Sequence, residues 1–152
     1  MIAVLALAWW SRPRQAPEVT LTTLSGEKIT LKQLRGHPVL LNFWASDCPA
    51  CLKEMPLLAR IHHSYTPAGL KIYAVAMPYD PPNRTLGFLK SHPLPYPVVL
   101  DPFGRISQPF RVTAIPTSVV IAPDGTIAWR HTGIPDLQRI QSIIETLTHR
   151  GA

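Results

Sequence analysis

The stretch "NFWASDCPAC", residues 42–51, holds both cysteines of the 152-residue chain. Its first four residues are the end of the apolar run "HPVLLNFWA", which is typical of a strand buried on both faces. The segment that follows, "PACLKEMPLLARIHHSY", has the apolar spacing of a helix. The side chains predicted on its apolar side are Leu52, Met55, Leu58 and Ala59. The two cysteines are therefore expected where a buried strand passes into a helix.

Cys48 and Cys51 suit a redox couple better than a structural bridge. Asp47 or Ser46 is a good helix N-cap, which would place Cys48 in the first helical turn. The two thiols would then be i, i+3 neighbours, close to disulfide reach. A bridge that closes so small a ring constrains the unfolded chain little, whereas a helix N-terminus lowers the pKa of a thiol.

Metal binding is the alternative use of the same thiols. A CxxC can be half of a zinc site, but the chain has no second CxxC, and no histidine follows His62 and His63 at the usual spacing. Copper binding by the thiols, with Met77 or a histidine as a further ligand, remains an alternative function. We expect neither a resident metal nor a cofactor.

Composition and length favour one globular domain. Hydrophobic residues make up 46% of the chain and charged residues 16%, which excludes a disordered composition, and 152 residues suit a single core. The net charge of +6 favours first a plain solvated basic surface, and otherwise acidic partners or anionic membrane surfaces. No basic run is interleaved with aromatic residues, so nucleic acid is not an expected partner.

Strands and helices alternate along the rest of the chain. "EVTLTTLSGEKITLKQL" predicts a hairpin that turns at Ser25-Gly26, and "GLKIYAVAM" and "YPVVLD" predict buried strands on either side of the short helix "PNRTLGFLKSH". "SVVIAPDGTIAWRH" predicts two strands around a turn, and "PDLQRIQSIIETLTHR" predicts an amphipathic helix. The apolar stripe of that helix is Leu137, Ile140, Ile144 and Leu147. This order argues for one α/β domain with a mixed sheet.

The first 16 residues are predicted to lie outside the folded domain, which would span residues 17–152. "MIAVLALAWW" is too short to cross a bilayer, which takes roughly 20 residues. No basic residues precede it, so the signal-peptide pattern is incomplete. We interpret residues 1–16 as the remnant of an export signal or membrane anchor, or as a disordered tail. Arg12 and Arg14 follow the apolar stretch, which weakens the anchor interpretation.

Two segments, "VLLNFWASDCPACLKEMPLL" and "FRVTAIPTSVVIAPDGTIAWRHTG", resemble the thioredoxin-like TlpA/ResA family of membrane-anchored or exported thiol-disulfide oxidoreductases. The similarity extends from about residue 17 to the C-terminus and depends on the spacing of the CxxC, the helix proline and the later Ile-Pro-Thr. It implies a thioredoxin-like α/β fold, with a central mixed sheet flanked by helices. It also implies an N-terminal β-hairpin and an αβ insert at "GLKIYAVAMPYDPPNRTLGFLKSH".

The resemblance also implies the main roles at the site. Cys48 would be the exposed nucleophile, and Cys51 would be the resolving thiol. The bond between Ile115 and Pro116 would be cis and would pack against the disulfide. Trp44, in the strand before the cysteines, is included as a supporting residue.

Three polar residues near the cysteines each have two alternative interpretations. Asn42 lies where thioredoxin has a buried acid, and an asparagine at this position resembles the TlpA/ResA branch. The alternative is a hydrogen-bonded polar group in a central strand with no further role. Glu54, one helical turn after Cys51, would accept the proton of Cys51, or else be an exposed helix glutamate. Asp47 departs from the family, which has a tryptophan or a small polar residue there. Its charge would oppose ionisation of Cys48 and favour reductase work, unless Asp47 is only a cap.

The predicted function is that of a thiol-disulfide oxidoreductase outside the bacterial cytoplasm. It would reduce disulfides of exported proteins, in cytochrome c maturation or copper-site assembly, and a membrane thiol reductant would recycle it. We expect a periplasmic monomer, with a tether to the inner membrane through the N-terminus as a further expectation. The alternatives are a copper-binding thiol chaperone and a peroxiredoxin-like peroxidase, although no Pro-x-x-x-Thr/Ser-x-x-Cys segment is present.

Overall fold

The computed structural model describes residues 14–150, so most of the predicted tail, residues 1–13, lies outside the described range. The strands in chain order are β1 (Thr20–Thr22), β2 (Lys28–Thr30), β3 (Val39–Trp44), β4 (Lys71–Ala76), β5 (Val98–Leu100), β6 (Thr117–Ile121) and β7 (Ile127–Thr132). The helices are α1 (Pro49–Tyr65), α2 (Pro82–Ser91) and α3 (Leu137–Arg150). Strands β1 and β2 form the predicted antiparallel hairpin. The larger sheet has the order β5-β4-β3-β6-β7, with β3, β4 and β5 parallel and β6 and β7 antiparallel to their neighbours.

Strand β3 is central because all six of its residues are buried. Its side chains alternate between the two faces of the sheet, as the period of two along a strand requires. Leu41 and Phe43 join the apolar cluster of one face, and Leu40 and Trp44 join the cluster of the other. The continuous apolar run in the sequence is therefore confirmed as a strand covered on both sides.

The two faces of the sheet are covered by different elements. Apolar side chains of all three helices pack in one cluster, where the fully buried Ile140 and Ile144 confirm the predicted stripe of α3. The other face is covered by the hairpin, by a 3-10 turn (Lys32–Leu34) and by the segment after β5. The buried residues of this second cover include Val19, Leu21, Leu31, Leu34, Ile106 and Phe110. The mixed α/β sheet and its thioredoxin-like arrangement agree with the predicted fold class.

The buried face of α1 is not the predicted one. The helix buries Cys51, Glu54, Leu57, Leu58 and Ile61. Of the predicted stripe, only Leu58 is fully buried, whereas Leu52 is exposed and the other two are half-buried. The three remaining stripe residues instead line an open groove of about 360 Å³, opposite Phe88 and Leu94. Periodicity failed here because the buried face carries a carboxylate, which a hydrophobic pattern assigns to the solvent side.

The packed chain begins before the predicted boundary at residue 17. Gln15 forms an antiparallel bridge with Thr126. The amide of Ala16 donates a hydrogen bond to the carbonyl of Gly125 at 2.9 Å. These residues thus attach the start of the described chain to the turn between β6 and β7. Within residues 14–150, no helix is both long enough and apolar enough to cross a membrane.

Candidate active site

The two cysteines form a disulfide at the N-terminus of α1. Helix α1 begins at Pro49, and Cys48 is its N-cap residue, with an extended backbone and a sulfur that accepts a hydrogen bond from the Cys51 amide at 3.2 Å. Cys48 is half-buried, whereas Cys51 is only 2% exposed. An incoming group therefore meets the sulfur of Cys48. The amide and the helix N-terminus both stabilise negative charge on that sulfur.

The predicted cap of this helix is wrong, since neither Asp47 nor Ser46 occupies the N-cap position. The Ser46 hydroxyl donates to Asp80 at 2.8 Å, and the Asp47 carboxylate forms an ion pair with Arg84 at 3.3 Å. Both side chains thus bind partners in the segment after β4, namely Asp80 and the first turn of α2. Cys48 takes the capping position that they leave.

Asp80, which the sequence analysis did not single out, anchors the loop that precedes the cysteines. Its buried carboxylate accepts hydrogen bonds from the Ser46 amide at 2.8 Å, from the Thr85 hydroxyl at 2.8 Å and from Arg84 Nε at 2.9 Å. Burial alone would raise the pKa of Asp80, but the hydrogen bonds from Ser46, Thr85 and Arg84 together hold it below its usual value. The sequence could have indicated this contact. Asp80 follows β4, the cysteine loop follows β3, and these two parallel strands end at the same edge of the sheet.

Glu54 lies in the core, so its interpretation as an exposed surface glutamate is wrong. The side chain is 0% exposed, and its carboxylate accepts hydrogen bonds from Asn42 Nδ2 at 3.0 Å and from Ser118 Oγ at 3.1 Å. Burial raises the pKa of Glu54 to about 7, although the hydrogen bonds from Asn42 and Ser118 oppose the rise. A group with this pKa is present in both protonation states at neutral pH.

The register of the sheet explains why these three polar side chains meet. In the antiparallel pair of β3 and β6, Asn42 lies opposite Ser118, and Asn42 Nδ2 donates to Ser118 Oγ at 3.1 Å. Glu54 reaches both from α1, one helical turn after Cys51 and on the same buried face. Sequence reasoning missed Ser118, although a serine inside the buried run "TSVVI" is itself a signal of a specific polar contact.

Ile115 and Pro116 precede β6 at the edge of the sheet where β3 ends. The peptide bond between them is cis, as the resemblance implied. Because Thr117 pairs with Phe43, the preceding proline stands level with the end of β3, from which the cysteine loop departs. The Pro116 carbonyl accepts a hydrogen bond from the amide of Gly133 at 2.8 Å, which ties this loop to the end of β7. Ile115 is half-buried and packs against both apolar clusters.

Trp44 packs beneath the cysteine loop. It is 1% exposed, it shares an apolar cluster with Cys51, and its ring centroid lies 5.7 Å from that of Phe88. Met77 N donates to its carbonyl at 2.9 Å. The predicted supporting residue therefore belongs to the buried base of the site.

The arrangement suits thiol–disulfide chemistry. Between residues 14 and 150, no three His, Cys, Asp or Glu side chains are grouped so that they could hold a metal ion. Three features suit a two-step exchange: a half-buried Cys48 whose sulfur accepts from an amide, a buried Cys51 one turn inside, and a buried carboxyl group with a pKa of about 7.

The chain is similar to known proteins, several of which are named as thiol-disulfide oxidoreductases. A family model described as the AhpC/TSA family matches residues 13–130. The thiol-disulfide oxidoreductase ResA of Bacillus thuringiensis subsp. konkukian is 32% identical over 136 residues, which cover 89% of this chain and 78% of that relative. ResA of Halalkalibacterium halodurans is 32% identical over 133 residues, which cover 88% and 75%. A Chlorobium tepidum structure described as a thiol:disulfide interchange protein DsbE matches with a TM-score of 0.83 at 26% identity, covering 91% of this chain and 98% of that one.

Proposed function

Because the chain belongs to the AhpC/TSA family and is a thiol-disulfide oxidoreductase of the ResA and DsbE type, we propose that it reduces disulfides of exported partner proteins through Cys48 and Cys51. The observation that carries the proposal is the unequal burial of the two cysteines at the tip of α1. The proposed partners are proteins of cytochrome c maturation or copper-site assembly. The proposed location is the periplasm or another extracytoplasmic space, with the N-terminal segment as export signal or membrane tether. This part of the proposal is supported by the resemblance to exported oxidoreductases.

The first step is attack by Cys48 on the partner. The Cys48 thiolate displaces one sulfur of the partner disulfide, so that a Cys48–partner disulfide forms and the released partner thiolate takes a proton from water. The Cys51 amide, already bonded to Cys48 Sγ at 3.2 Å, stabilises the attacking thiolate.

The second step is resolution by Cys51. Its thiol loses a proton and attacks Cys48 Sγ, which re-forms the Cys48–Cys51 disulfide and releases the second partner thiolate. Two electrons thus pass from the dithiol to the partner. A membrane dithiol of lower potential would return them to the protein by the same exchange.

Glu54 is the proposed acceptor of the Cys51 proton. It is the buried carboxylate one helical turn from Cys51, and its pKa of about 7 leaves a large ionised fraction at neutral pH. Asn42 and Ser118 hold both of its oxygens, so the carboxylate is kept in a fixed position. The half-buried Ile115 would shape the surface that the partner's backbone meets, and the buried Pro116 and Trp44 would support it from beneath.

Single cysteine variants test this division of roles. The reduced protein is mixed with a fluorescent peptide that contains one disulfide, and products are read by mass spectrometry. Wild type is expected to convert the peptide to its dithiol. Cys51→Ser should stop at a covalent Cys48–peptide adduct, and Cys48→Ser should be inert. Equal alkylation rates of the two thiols, or an adduct on Cys51, would contradict the assignment.

The same protein preparation separates the two alternatives. A peroxidase would consume hydrogen peroxide at a rate abolished by Cys48→Ser, whereas we expect no turnover with peroxide. A copper chaperone would bind Cu(I) tightly in a competition titration and leave the disulfide peptide unreduced. Disulfide exchange partners are then identified by trapping with Cys51→Ser in the native host.

A further inference from the structure

Arg84, in the first turn of α2, lies between two carboxylates beside the cysteine loop. Its Nε donates to Asp80 Oδ1 at 2.9 Å, and its Nη2 lies 3.3 Å from Asp47 Oδ2. The Asp80 side chain is fully buried, whereas the side chains of Arg84 and Asp47 are 46% and 56% exposed. The guanidinium therefore joins a fixed buried anion to a surface anion that directly precedes Cys48.

We propose that Arg84 is a positioning residue for the exchange reaction: anchored on Asp80, it holds its charge against Asp47 and offsets the negative charge beside the Cys48 thiolate. This inference rests on the proposed role of Cys48 as the nucleophile. It assigns to the αβ insert, which carries Arg84 and Asp80, the electrostatic control of the first step.

The anchoring by Asp80 makes this ion pair different from an ordinary surface pair. A surface pair loses most of its Coulomb gain to the ordering of two long side chains and to solvent. Here the Asp80 carboxylate is itself held by Ser46 and Thr85, and it fixes the Arg84 Nε before Asp47 contributes anything. The Nη2 group of Arg84 is thus already directed at Asp47.

The charges around Cys48 come from three elements. Asp47 lies on the loop before it, and the buried Asp80 with its partner Arg84 lies on the segment from the end of β4 to the first turn of α2. The exposed Tyr79 adds no charge, because burial of its hydroxyl, then Asp47 and Asp80, raise the pKa of Tyr79 above its usual value. On α1 itself, the N-terminal amides are favourable and Lys53 is exposed, while Glu54 lies on the buried side. Arg84 is the cation in contact with Asp47.

The test measures the thiolate directly in a Cys51→Ser background, where Cys48 is the remaining thiol. The pH dependence of iodoacetamide alkylation gives the pKa of Cys48. Arg84→Gln should raise that pKa by about 0.3–0.5 unit, because a charge several ångströms away acts through an effective dielectric close to that of water. The rate of adduct formation with the disulfide peptide should fall about 2–3-fold at pH 7, in step with the thiolate fraction.

Three variants and a measurement at high salt distinguish an electrostatic effect from a structural one. Arg84→Lys keeps the charge and should stay close to wild type. Arg60→Gln removes one charge from the exposed side of α1, roughly 18 Å farther along the helix, and should leave the pKa unchanged. The double variant Asp47→Asn/Arg84→Gln removes both charges and should lie between the two single variants. In 0.5 M salt the shift caused by Arg84→Gln should shrink, since both partners are solvent-exposed.

An unchanged pKa in Arg84→Gln, or equal shifts in Arg84→Gln and Arg84→Lys, would overturn the inference. So would a double variant as strongly shifted as Arg84→Gln alone. These outcomes leave the proposed function intact, because Cys48 would still form the adduct. If Cys48 forms no adduct with the peptide in any background, the proposed function itself fails.

Discussion

Two carboxylates flank the disulfide, one at the surface and one in the core. Asp47 directly precedes Cys48, is largely exposed and pairs with Arg84. Glu54 follows Cys51 by one helical turn, is fully buried and meets only neutral hydrogen-bond donors, Asn42 and Ser118. A carboxylate beside a cation in solvent acts on its neighbours through a screened field. A carboxyl group without a cation in the core has its pKa raised and can exchange a proton near neutrality.

The difference also decides how each acid affects stability. The pKa of Glu54 is about 7 in the folded protein against an ordinary 4.5, so the folded state holds a proton that the unfolded chain releases. Its contribution is fully present below about pH 4.5 and is lost as the pH rises through 7. Asp47, exposed and paired, has no comparable desolvation to recover.

The largest expected effect comes from Glu54→Gln. Between pH 4.5 and 8, the unfolding free energy of the oxidised wild type should fall by about 3 kcal/mol on account of this one group, since each pKa unit is about 1.4 kcal/mol. Glutamine keeps the size of the side chain but has no proton to lose, so the variant should lack this part of the slope. Because an amide accepts at only one of its two positions, we expect one of the hydrogen bonds from Asn42 and Ser118 to be lost or reversed, which lowers stability at every pH without adding a slope. Urea unfolding at a series of pH values measures it. The control Glu27→Gln alters an exposed glutamate and should keep the wild-type slope.

The same variant should change the kinetics of resolution. Release of the partner by Cys51 should become slower and lose its dependence on pH near 7, while the initial attack by Cys48 keeps its rate. Rapid-quench separation of adduct and product gives the two rates. Resolution that is unchanged from pH 5 to 9 would remove Glu54 from the proton transfer and leave it as a structural group.

The sequence predicted the regular parts of this site and missed its side-chain contacts. The strand β3, the helix α1 and the cysteine pair follow from local patterns, namely an apolar run and a three-residue spacing. The burial of Glu54 does not follow, because it depends on Asn42 and Ser118, which lie 12 and 64 residues away along the chain. The cap was wrong for the same reason, since Asp80 engages Ser46 across a separation of 34 residues. Local secondary-structure propensity contains no information about partners so distant along the chain.

An intermediate effect is expected from Asp80→Asn, which alters the connection between the cysteine loop and the insert. The carboxylate accepts hydrogen bonds from Ser46, Thr85 and Arg84, and an amide can accept at only one of its two positions. We expect a loss of about 1–3 kcal/mol in unfolding free energy at pH 7. Ser46→Ala removes one of these donors and should cost less, about 1 kcal/mol.

The acid limb of the stability profile provides the check on Asp80. Hydrogen bonding holds its folded pKa below the ordinary 3.8, so its contribution is present above that pH and is lost as the pH falls through the lower folded value. The difference between wild type and Asp80→Asn should therefore be constant from pH 5 to 8 and narrow below about pH 4. A difference that does not narrow in acid would mean that Asp80 acts by packing alone.

The smallest effect is expected at Asp47, where two substitutions separate capping from charge. If Asp47 capped α1, Asp47→Ala would cost about 1 kcal/mol while Asp47→Asn would not. Because Cys48 is the N-cap residue, both variants should instead melt within a degree or two of wild type. Both remove the same charge from the residue directly before Cys48. Each should therefore lower the pKa of Cys48 by somewhat less than one unit.

The sign of the redox change follows from that pKa. A more stable thiolate stabilises the reduced protein, so the potential of both Asp47 variants should become less negative, by roughly 20 mV for a two-electron couple. Equilibration with glutathione buffers measures it. Equal shifts in Asp47→Asn and Asp47→Ala at unchanged melting temperature would establish Asp47 as a charge that favours reduction of partners. A loss of stability in the alanine variant alone would instead mean that Asp47 caps the helix in solution. Asp47 would then differ from Glu54 by stabilising the helix end, and its charge would not control the potential.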